Sequence, residues 1–76
     1  MNASRRKEIQ DILNELSGLR CRIEDLQSEE QEAFDNMPEG LKQSGRGQAS
    51  EAAASALENA VSAIDEIDSS LNEAAA

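Results

Sequence analysis

Phe34–Gly47 reads FDNMPEGLKQSGRG, and it splits the chain into two long segments that both carry helical patterning. The stretch holds three of the four glycines and the only proline. Pro38 disfavours helical geometry at Met37, so a first helix must end by about Asn36. Asp35 and Asn36 are good turn formers. The organisation expected is a single all-α domain over 1–76: a helix over about 4–35, a connecting segment over about 36–46 and a helix over about 47–74.

Upstream of the break, Ile9, Ile12, Leu16, Leu19, Ile23 and Leu26 are spaced 3-4-3-4-3, the a/d rhythm of a coiled-coil heptad. Leu13 and Phe34 fall at e positions and widen the stripe at its two ends. Asn2 or Ser4 is placed to cap this helix. Gly18 falls at an outward position and Cys21 at the most exposed one. Downstream, Ala53, Leu57, Ala60, Ile64, Ile67, Leu71 and Ala74 repeat the same rhythm, with either Ser44 or Ser50 as the cap. Further alanines and Val61 broaden the second face beyond what one partner helix covers, which suits a bundle of three or more helices.

The two segments are expected to fold back as an antiparallel coiled-coil hairpin. Turning the chain near residue 41 sets Leu16 against Ile67, Leu19 against Ile64, Leu26 against Leu57 and Ile12 against Leu71. Phe34, Met37 and Leu41 then fold over the turn as an apolar plug. The first helix begins with Arg5, Arg6 and Lys7 and ends with Glu29, Glu30 and Glu32, while the second begins near Lys42 and Arg46 and ends acidic. Antiparallel pairing brings unlike charges together at both ends. Asp65, Glu66 and Asp68 are left as an unpaired acidic strip.

Composition limits the function. Seven basic against sixteen acidic residues give a net charge of −9, which argues against general nucleic-acid binding. There is no histidine or tyrosine and a single cysteine, so no catalytic residue, metal ligand set or cofactor is expected, and the chain is not expected to be an enzyme. No apolar run approaches the ~20 residues of a membrane span. One free cysteine without a targeting signal points to a reducing, cytoplasmic setting. A single core of this size supplies only ~3–5 kcal/mol, so the chain is expected to gain stability from a partner, foremost a copy of itself.

The break is longer than a helical hairpin needs, and it carries the candidate binding residues: Met37, Pro38, Leu41, Lys42, Ser44, Gly45, Arg46 and Gly47. Gly45-Arg46-Gly47 precedes a helix whose free N–H groups favour an anion, and Lys42, Ser44 and Arg46 add charge and donors. The spacing is not that of a phosphate-binding P-loop.

Glu29–Gly47, EEQEAFDNMPEGLKQSGRG, followed by SALENAVSAIDEIDSSL, resembles a group of small proteins encoded by phages and prophages. In that group a DNMPE-type segment joins a glutamate-rich helix to one rich in alanine, leucine and acids. The resemblance covers about residues 7–73 and implies a setting in the host-cell cytoplasm. It implies a binding protein that inhibits a host defence protein directly. The alternatives are a sponge that sequesters an anionic nucleotide signal at residues 42–47, and a structural, self-assembling coiled coil.

Overall fold

The computed structural model describes residues 1–76, and the chain is an all-α hairpin of two long helices with one helical turn between them. Helix α1 spans Ala3–Asp35, α2 spans Glu39–Lys42 and α3 spans Gly45–Ala75. Asn2 starts α1 by accepting from the Arg5 backbone N–H at 2.8 Å, one of the donors that a helix start leaves free. At the other end the N–H groups of Asn36 and Met37 donate to Glu32 and Phe34 carbonyls, and Pro38 leaves the helix with ψ at 149°. The second long helix begins earlier than the expected residue 47, because Ser44 rather than Ser50 caps it and accepts from the Gly47 N–H.

The rod measures 58 × 15 × 12 Å across its Cα positions, two helices wide and one thick. Arg20 lies across from Asp65 and Glu30 across from Ser50, the antiparallel register expected from turning near residue 41.

The rotation of the helices differs from expectation. The side facing α3 carries Leu13, Leu16, Arg20, Ile23, Gln27, Glu30 and Phe34, all buried or half-buried and spaced 3-4-3-4-3-4. The facing side of α3 uses Ser50, Ala54, Leu57, Val61, Ile64, Asp68 and Leu71 in the same rhythm. The seam is therefore built from a and e positions. Ile12, Leu19, Leu26 and Ile67, expected inside, are 39, 46, 53 and 47% exposed. The apolar stripe on each helix covers a, d and e, and one partner helix covers only two of the three. Leu13, Phe34 and Val61 at e positions, with the Arg20–Asp65 pair, are satisfied by this rotation, at the expense of the d residues.

The core that results is thin. Leu13 at 8% and Ala54 at 5% are its buried apolar residues, and Ser50 is buried but donates to Glu30 Oε1 at 2.8 Å. Accessible surface is 5430 Å², against roughly 4,500 Å² for a compact monomer of 8.2 kDa.

Charge pairing also departs from expectation. Within 4 Å, the ion pair that joins the two long helices lies mid-rod rather than at the ends. Arg20 Nε and Nη2 donate to the two Asp65 carboxylate oxygens at 2.7 and 3.1 Å, and Nη1 donates to Glu24. Asp65 is thus paired although exposed, Asp68 is half-buried in the seam, and Glu66 is exposed with no ion-pair partner within 4 Å. Arg5, Arg6 and Lys7 at one end and Arg46 at the other take part in no ion pair within 4 Å. The hydrogen bond from Arg20 holds the Asp65 carboxyl below its usual 3.8, and the same bond raises the Arg20 pKa. A carboxylate depressed in the folded state stabilises above its unfolded pKa, and that stabilisation is lost as pH falls through the lower folded value. Asp65→Asn should therefore lower the urea midpoint near neutral pH, with the gap to wild type closing below pH 3.8. A gap that persists unchanged into that range would refute the pairing.

Candidate functional site

The break folds around α2, whose four residues make one turn. The Pro38 carbonyl accepts from the Leu41 and Lys42 N–H groups at 2.9 and 3.1 Å and closes that turn. Proline supplies the extended entry, at φ −57° and ψ 149°, and loses nothing by lacking an N–H at the helix start. The turn packs against the start of α3. Gly47 is the reason it can: a Cβ built there would run into the backbone carbonyls of Leu41 and Lys42, with the Lys42 carbonyl carbon at 2.6 Å. Ser44 completes the corner, its Oγ donating to the Leu41 carbonyl and accepting from the Gly47 N–H.

These contacts sort the candidate residues. Gly47 is buried, and Ser44 is half-buried with its hydroxyl engaged on both sides. Lys42 lies over the Phe34 ring, its Nζ 5.6 Å from the centroid and 3.8 Å from a Glu39 oxygen. A cation in that position is attracted by the ring face and held at the corner. Met37 is half-buried, in keeping with the plug. Leu41 is 43% exposed and does not join it, because the α2 turn rotates its side chain outward. Pro38, Gly45 and Arg46 are exposed, and Arg46 takes part in no ion pair. Gly45 has open space around it.

The tip thus presents Pro38, Leu41 and Arg46 on a framework fixed by Phe34, Lys42, Ser44 and Gly47. Apolar contact by Leu41 and anion contact by Arg46 are the chemistries it offers. Elsewhere, no group of three or more acidic or cysteine side chains is gathered to hold a metal ion. No helix is long and apolar enough to cross a membrane. Cys21 is exposed, as its position in the heptad implies.

No protein-family model matches the chain, and no curated protein or solved structure is detectably similar to it. One feature of the tip and one of the rod were not read from sequence. The close approach at Gly47 depends on α2, a single turn with no periodicity to announce it. The Arg20–Asp65 bond depends on the rotation of both helices.

Proposed function

We propose that this chain is a non-enzymatic, phage-type binding protein that inhibits a host protein by direct contact through the tip of its hairpin. The observation that carries this reading is Leu41, a large apolar side chain 43% exposed on a turn that Gly47 and Ser44 hold in place. An apolar anchor already fixed in its bound conformation loses little freedom when it enters a pocket. Arg46, exposed on the first turn of α3, supplies a charge for orientation.

Host-cell extract passed over immobilised protein should yield a defined host protein with wild type. Leu41→Glu should lose at least tenfold of that capture, with its helix content unchanged by circular dichroism. Capture that survives Leu41→Glu would defeat the tip as the contact. A second reading, sequestration of an anionic nucleotide, draws support from the unpaired, exposed Arg46 on the first turn of α3. Native mass spectrometry against a nucleotide panel separates the two. A bound mass of a few hundred daltons, lost in Arg46→Ala and kept in Leu41→Glu, would replace the inhibitor reading with the sponge.

A further inference from the structure

Arg20 gathers Glu24 and Asp65 on one face of the rod. The stripes turned away from the seam in the other sense, Ile12–Leu19–Leu26 on α1 and Ala60–Ile67 on α3, therefore lie together on the opposite face. Four of these five are large and at least 39% exposed. A single hairpin gives this face nothing to pack against.

We propose that a second copy covers it. Two hairpins pair face to face as an antiparallel four-helix bundle, with the two-fold axis passing beside Leu19, α1 on α1 and α3 on α3. Three observations on the chain itself select this occupant and this orientation. The stripe is self-complementary: Leu19 is the midpoint of α1 (Ala3–Asp35), so an antiparallel copy sets Ile12 against Leu26 and Leu26 against Ile12. The charges are self-complementary in the same register. Arg5, in line with the Ile12–Leu19–Leu26 stripe and without a partner within 4 Å in the hairpin, comes level with the stretch of the other copy that carries Glu29 and Glu32, and Glu15 falls close to Arg22. On α3 the exposed stripe is uncharged and mostly alanine, so Ile67 meets Ala60 and two acidic helices come together without apposed carboxylates. The size is adequate as well: a face 58 by 15 Å across its Cα positions projects to roughly 870 Å², on the order of what each partner gives to a standard-size interface. The pairing is isologous and closes at two copies. It uses a different surface from the tip and stands or falls apart from the tip's role.

Sedimentation equilibrium of the full chain should give twice 8.2 kDa for wild type and for Leu41→Glu. It should give 8.2 kDa for Leu19→Glu, which places two carboxylates beside the axis, and for Leu26→Glu as a second variant. Both residues are already exposed in the hairpin, so helix content by circular dichroism should persist in each. Orientation is read by spin labels on Ser4→Cys in a Cys21→Ser background, which should lie roughly 45 Å apart at 1.5 Å per residue. A wild type that remains at 8.2 kDa, a larger assembly, or a dimer indifferent to both glutamates would overturn the proposal. Labels within about half that distance would put both tips at one end and overturn the antiparallel arrangement.

Discussion

Leu13→Ala is expected to unfold the isolated hairpin, while Ile12→Ala, one position away, should lower its stability only modestly. Leu13 is 8% exposed and is the one large side chain buried in the core; Ile12 is 39% exposed. Truncating a buried leucine costs ~2–5 kcal/mol through lost transfer energy and the cavity left behind. A core of this size supplies only ~3–5 kcal/mol in total, so the loss is comparable with the whole. For Ile12 about 1 kcal/mol is at stake, because much of its surface is in water before the truncation. The comparison is best made in a Leu19→Glu background, where the outward stripe is disabled and each chain stands alone. Helicity at 222 nm followed through a urea titration gives both numbers. The ranking matters because the plain heptad reading makes Ile12 a core residue and Leu13 a flank. Equal losses, or a larger one at Ile12, would mean that the seam runs through a and d after all.

The reason for that ambiguity is written in the residues. Each long helix has apolar side chains at a, d and e, and any adjacent pair of those stripes gives a 3-4 rhythm. Periodicity therefore established two helices, their antiparallel pairing and their register, while Pro38 marked the end of α1 and its start was left between Asn2 and Ser4 as cap. It did not select the rotation. That choice rests on contacts between residues distant in sequence: Arg20 with Asp65, and Glu30 with Ser50. Neither pair is apolar, so hydrophobic patterning is blind to both. At the tip the limit was of another kind. Glycine and proline marked the break, and Ser44 was legible as a cap. A single turn such as α2 has no period to detect, and the outward swing of Leu41 follows from that turn alone. The same blindness made Asp65 look unpaired when Arg20 reaches it from the other helix.

Gly47→Ala is expected to destabilise the hairpin although it sits in the first turn of a long helix, where alanine is ordinarily the better residue. In a helix the exchange contributes up to ~1 kcal/mol in favour of alanine. Here the new methyl would overlap backbone of Leu41 and Lys42, atoms that cannot rotate out of the way as a side chain could. Either α2 lifts from α3 or the first turn of α3 unwinds, and forced overpacking of this kind costs ~1–3 kcal/mol. Gly18→Ala supplies the control. Its Cβ meets nothing within 4 Å, so the propensity gain of ~1 kcal/mol should be expressed in full and the urea midpoint should rise. Opposite signs for the two substitutions would establish close approach, not flexibility, as the reason for glycine at 47. A matching rise at both would mean that α2 does not dock where the hairpin places it. The consequence reaches the binding surface as well, because Leu41 is presented by the turn that Gly47 admits. Gly47→Ala should therefore weaken capture at the tip while leaving the association of two copies through Leu19 intact, whereas Gly18→Ala should change neither.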